Sequence, residues 1–214
     1  MSSFLFGFAA ALLLTIGARD QLLVARLARP LGALILLAAL VSAIFTAGLV
    51  ALAGDAVAAL LPETARQMLV AIALVVASFE LFWPAREKRP KEPTRSAFAA
   101  FVVLLARQWG DAARFLLFAL AAATALPTFV ALGGAAGAGA ALAGGWALGD
   151  DIEALPLRMF RLVMGGVVLI AGLAIGLVWL QLQPLPDHLL SSLSPFSSRF
   201  LTLWGSPEGR ILNN

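Results

Sequence analysis

The chain has 214 residues, 61% of them hydrophobic and only 13% charged, with a mean hydropathy of +0.95; a water-soluble domain carries about 25% charged residues, so that class is excluded. The formal net charge of +3 comes from 15 Lys and Arg against 12 Asp and Glu, and its excess is concentrated in one short segment, which fits positive-inside membrane topology and not a nucleic-acid footprint. There is no cysteine, hence no disulfide or thiolate metal site, and the lone His188 excludes a multi-histidine zinc site.

A membrane span needs about 20 mostly apolar residues, and six such stretches are predicted. The first covers residues 4–27, with Arg19-Asp20 in its second half. Because Met1-Ser2-Ser3-Phe4 holds no Lys or Arg and the apolar run lacks a cleavage site, it reads as a retained span and not a signal peptide. Arg29-Pro30 is expected to break the chain, since proline disfavours helical geometry in the residue before it. The second span covers 31–53 and the third 65–83, ending at Trp83-Pro84, where an interfacial aromatic meets a helix breaker. Glu80, one turn earlier, reads as an interfacial residue.

Residues 85–96 form a basic loop holding Arg86, Lys88, Arg89, Lys91 and Arg95, which places it in the cytoplasm. The fourth span, 96–124, carries Arg107, Asp111 and Arg114 at i, i+4 and i+7, a spacing that puts all three on one face of a continuous helix, where opposite charges pair. Pro127 precedes the fifth span, 128–148, which has Gly133, Gly134, Gly137, Gly139, Gly144 and Gly145 among alanines. Its smoothness serves either tight crossing of the polar helices or generic small-residue packing. After the acidic turn at Asp150, Asp151 and Glu153 comes the sixth span, 157–182, where Gly172 and Gly176 have the spacing that favours helix contact, within the fold or between protomers. The tail, 183–214, alternates Leu189, Leu193, Phe196 and Trp204 with serines and prolines, and reads as an amphipathic or irregular segment.

The two halves resemble each other. Residues 15–25 can be laid on 108–118 so that Gly17 matches Gly110, and in each half the first span carries the polar cluster. Three spans per half force the second copy to enter the membrane the other way up, the plan of many secondary transporters whose site lies at the repeat interface. The expected fold is an all-α integral membrane protein of six transmembrane helices in two inverted three-helix repeats. Residues 1–84 form the first repeat, 85–96 the loop, 97–182 the second repeat and 183–214 the tail.

On these residues the chain resembles the six-span Golgi-type calcium/manganese:proton exchanger family (transmembrane protein 165-like), which includes bacterial manganese exporters. Each half of that family carries Glu, an apolar residue, Gly, Asp, Lys or Arg, then Thr or Ser. Here the copies read Thr15-Ile16-Gly17-Ala18-Arg19-Asp20 and Gln108-Trp109-Gly110-Asp111-Ala112-Ala113. Of four family carboxylate places, held here by Thr15, Ala18, Gln108 and Asp111, only the last is acidic. The resemblance implies a transport site of Asp111, Gln108, Gly110, Arg114, Thr15, Gly17, Arg19 and Asp20 between the first and fourth helices. Asp111, Gln108 and Thr15 would be the ligands of a manganese or calcium ion exchanged for protons.

Two carboxylates, Asp20 and Asp111, against Arg19, Arg107 and Arg114 leave that polar centre one charge positive, which opposes a divalent cation, since such ions commonly take carboxylate ligands. A non-transporting scaffold or accessory subunit of a membrane complex is therefore the alternative. Expected surroundings are the lipid bilayer of a bacterial inner membrane, with a homo-oligomer or membrane partner held through the glycine-rich helices. No nucleic acid and no cofactor are expected. No enzyme is expected either, because no zinc-protease, nucleophile-elbow or phosphate-loop motif is present.

Overall fold

The computed structural model describes residues 1–83 and 96–181, and every regular element among them is a helix. In chain order these are α1 (Ser2–Thr15), α2 (Arg19–Leu31), α3 (Ala33–Ala58), α4 (Glu63–Phe82), α5 (Ala97–Trp109), α6 (Ala112–Ala123), α7 (Pro127–Leu148), a 3-10 turn (Gly149–Ala154) and α8 (Leu157–Gln181). The basic loop apart from Ser96, and the whole of the tail, lie outside the described residues. Contacts divide the chain after Trp179, and the helix packing and the polar site both belong to the unit Met1–Trp179.

Among the described residues, four helices are long and apolar enough to cross a membrane: α3, α4, α7 with its 3-10 extension, and α8; α1 and α2 count as a fifth if the pair, bent by 68°, is one span. Exposure supports a membrane-embedded chain. Large apolar residues point outward, with Leu34, Leu37, Ile44, Leu52, Ile170 and Leu177 all exposed, while the buried face of α3 is Ala39, Ala43, Ala47 and Gly54. Small residues inside and large ones outside invert the soluble pattern, because lipid solvates leucine while close backbone approach supplies the packing.

Three expectations are corrected. The first span is not continuous, because Gly17 adopts φ +70 and turns the chain between α1 and α2. The fourth is also interrupted, at Gly110, into helices of 13 and 12 residues, each too short to cross alone. Pro30 does not break the chain where expected: it sits in the last turn of α2, and the turn falls at Gly32, with φ +56, whose N–H bonds the Ala28 carbonyl at 2.9 Å. Trp146 Nε1 donates to the Gly32 carbonyl at 2.8 Å, so the turn is satisfied from α7.

Two long helices organise the core. α7 packs on α1, α2 and α3, while α3 also packs on α5 and α6, and α6 on α4. The glycines of α7 make this possible, since a Cβ on Gly133 or Gly137 would run into the backbone of α1 at Phe4 or Phe8, one on Gly134 would meet Leu117 of α6, and one on Gly145 would meet Gln21 of α2. The smooth helix thus crosses the interrupted helices tightly. Gly165 and Gly172 of α8 likewise face Leu81, Phe82, Ala71 and Leu74 of α4, inside the fold.

Candidate functional site

The interruption after α1 is closed from within. Gly17, in the left-handed region, presents its N–H to Gln21 Oε1 at 2.6 Å, and Gln21 Nε2 donates to the Ala141 carbonyl of α7 at 2.7 Å. One buried amide therefore satisfies a donor freed by the break and ties α2 to α7. Arg161 of α8 roofs the turn, its Cδ 3.1 Å from where a Cβ on Gly17 would lie.

The interruption after α5 is open. Gly110 has φ −100 and nothing within 4 Å of the Cβ position, and Asp111 is the N-cap of α6 without bonding the helix through its side chain. The first N–H groups of a helix lack internal partners, and here Glu80 of α4 supplies one, its Oε2 accepting from the Ala112 N–H at 2.7 Å. A carboxylate at this end also matches the positive pole of the helix dipole.

Ala18, Arg19, Asp20, Glu80, Arg107, Gly110 and Asp111 line a single polar cavity of about 380 Å³. Residues flanking both interruptions meet there. A second, largely apolar cavity of about 860 Å³ lies between α3, α4 and α6, walled by Leu49, Val76, Phe115 and Phe118, and it too reaches Glu80, Gly110 and Asp111. These three residues form the seam between a polar and an apolar space.

Arg114 is buried beside this seam, and its hydrogen bonds go to Thr46 Oγ1 at 2.8 Å through Nε and to Gln108 Oε1 at 3.1 Å through Nη2. The Thr46 hydroxyl, 2.9 Å from Gln108 Oε1 and 2.8 Å from the Ser42 carbonyl, completes a polar knot between α3, α5 and α6. Arg114 thus anchors α6 to α3 as Gln21 anchors α2 to α7.

Of the residues singled out in the sequence, Arg19, Asp20, Gly110 and Asp111 come together in the polar cavity. Thr15, Gly17, Gln108 and Arg114 do not line it: Gly17 is under Arg161, Thr15 is buried with its hydroxyl unpartnered, and the Gln108 oxygen faces Arg114. The trio Asp111, Gln108 and Thr15 is therefore not assembled as a ligand set, because a guanidinium already occupies the Gln108 oxygen. Among the described residues no three acidic or histidine side chains converge closely enough to hold a metal ion.

Two corrections follow for the charges. The one-face ladder of Arg107, Asp111 and Arg114 does not form, since the chain breaks between the first two. The formal charge sum also changes: Arg114 does not line the cavity and Glu80 does, so three acidic side chains stand there against two guanidinium groups, a formal sum of one negative charge. Glu80 was missed as a site residue. A usable signal existed for it, an ionisable side chain within an apolar span, which is costly there and marks function by default. No family model, curated protein or solved structure matches this chain.

Proposed function

We propose that the chain is a secondary transporter exchanging a cation for protons, with manganese or calcium the cargo implied by the family it resembles. The observation that carries this reading is the convergence of two interrupted helices on one cavity containing Asp20, Glu80 and Asp111. Broken helices at a repeat interface present free backbone groups and carboxylates to an ion, and rocking of one repeat against the other exposes the site alternately.

In this reading α1 with α2, and α5 with α6, each make one span, giving six in two inverted repeats. The 93-residue offset from Gly17 to Gly110 supports it: applied to the starts of α1, α2, α3 and α4, it lands within two residues of the starts of α5, α6, α7 and α8. The basic loop 85–96 is cytoplasmic, in the inner membrane of a bacterium. Arg26–Glu153 at 3.2 Å and Arg29–Asp150 at 3.0 Å join the end of α2 to the acidic turn after α7, which fits an arrangement with both on the loop's side.

Reconstitution into liposomes with a proton-sensitive dye inside tests the function. An imposed manganese or calcium gradient is expected to drive proton movement above that of protein-free liposomes, and absence of dye response to either ion would refute exchange of these cargoes. One observation favours a second reading, a scaffold that has lost transport: Arg19 and Arg107 share the cavity with the carboxylates, and Arg114 holds the Gln108 oxygen. A silent dye alongside a folded protein selects it.

A further inference from the structure

The apolar cavity of about 860 Å³ between α3, α4 and α6 has no part in the exchange proposed above. Small-molecule sites typically enclose roughly 300–1,000 Å³ behind apolar and aromatic walls, with a few polar groups converging at one place. This cavity has that make-up. Leu49 and Leu52 of α3, Val76 of α4, Trp109 at the end of α5, and Phe115 and Phe118 of α6 form the apolar wall, and only Glu80, Asp111 and Arg114 bring charge to it. Leu52 is 66% and Val76 44% exposed, among the large apolar residues that the chain turns to lipid, so the cavity is reached from the bilayer.

Charge then selects among ligands that arrive through lipid. Two acidic side chains stand against one guanidinium, a formal sum of one negative charge, and Arg114 already spends Nε on Thr46 at 2.8 Å and Nη2 on Gln108 at 3.1 Å. An anionic amphiphile meets the wrong sign. A hard divalent cation needs several oxygen ligands, which a hydrocarbon wall does not offer. A cation whose charge is wrapped in alkyl or aryl groups gains from burying those groups away from water, and aromatic faces attract it. Such faces are present: the rings of Phe115 and Phe118 stack with centroids 6.3 Å apart and planes 12° from parallel, and Trp109 lines the same space.

We propose that the apolar cavity is a binding site for a lipophilic organic cation, a quaternary ammonium or phosphonium bearing alkyl or aryl groups, that enters from the bilayer. Its body lies among Leu49, Val76, Phe115 and Phe118, and its charge sits at the seam beside Glu80 and Asp111. The site does not rest on the exchanger reading, since it requires no movement of a metal ion or a proton.

The test uses the full chain in phosphatidylcholine nanodiscs and radiolabelled tetraphenylphosphonium, with equilibrium binding corrected for empty nanodiscs. Saturable binding is expected. Val76→Trp and Leu49→Trp, at two exposed wall positions on different helices, should each abolish it by filling the cavity while the protein still elutes as a folded species. Glu80→Gln and Asp111→Asn, which keep the side-chain shape and an acceptor oxygen, should each weaken it by roughly tenfold, the effect of removing one opposite charge close by. Tetraphenylborate has the same shape and the opposite charge, and it should show no saturable binding. Absence of saturable phosphonium binding, equal binding of the borate, or binding indifferent to both tryptophan variants overturns the proposal. So does a phospholipid that stays on the protein in native mass spectrometry, is lost in Val76→Trp and is not displaced by the phosphonium, because the cavity then belongs to lipid.

Discussion

The two helix interruptions begin from matching glycines and are finished in opposite ways. At Gly17 the chain supplies its own closure, with a left-handed residue, a glutamine four positions on that takes the freed N–H, and an arginine packed over the turn. At Gly110 the backbone stays at negative φ, space is left beside it, and the freed donor of α6 is met by a carboxylate from another helix. A break satisfied internally becomes structural, while a break satisfied by an ionisable neighbour and opened to a cavity is available for chemistry.

The largest effect should come from the open break. Asp111→Asn is expected to reduce dye-reported exchange to the liposome background while the protein still elutes as a folded species, whereas Asp20→Asn, at the closed break, should leave a measurable fraction. Equal losses in the two variants would erase the functional distinction. Next comes restoration of acids. Ala18 lines the cavity as the N-cap of α2, so Ala18→Asp should tighten manganese binding, measured by calorimetry, by roughly tenfold, the effect of one added opposite charge close by. Gln108→Glu should change it little, since the new carboxylate would pair with Arg114. A stronger effect from Gln108→Glu would mean that the knot opens in the working protein.

Stability separates the breaks further. Gln21→Ala removes both hydrogen bonds of the closed break and should cost about 1–3 kcal/mol, the penalty for leaving buried partners unsatisfied. Gly17→Ala places a side chain at φ +70 against Arg161, and should cost about 1–2 kcal/mol from the left-handed backbone alone. Gly110→Ala has free space and an ordinary φ, so thermal unfolding in detergent should change least, by under about 0.5 kcal/mol, as at an unconstrained surface position. Similar losses at the two glycines would show that Gly110 also passes through a conformation only glycine tolerates.

Much of the scaffold is legible in the residue order because span length and hydropathy are local properties. The helices from Ala33, Glu63, Pro127 and Leu157 all begin within two residues of the expected starts. The bends were not, because a glycine in an apolar run is compatible with a straight helix. What makes Gly17 turn is Gln21 reaching both its N–H and the Ala141 carbonyl, 120 residues from Gln21. Arg114 misled for the same reason: i+4 and i+7 spacing implies a shared face only if the helix is unbroken, and its partner Thr46 comes from a helix 68 residues back.

By itself, the sequence determined that the chain is helical and membrane-embedded, where its long spans run, and that its polar residues cluster around two glycines. Burying an apolar run in lipid depends on composition alone. Only the tertiary structure decided which carboxylates share a cavity, because Glu80 reaches Asp111 from another helix while Gln108 and Arg114 are spent on each other. Charge at a site is a sum over whatever the fold brings within a few ångströms, and adjacency along the chain does not set that distance.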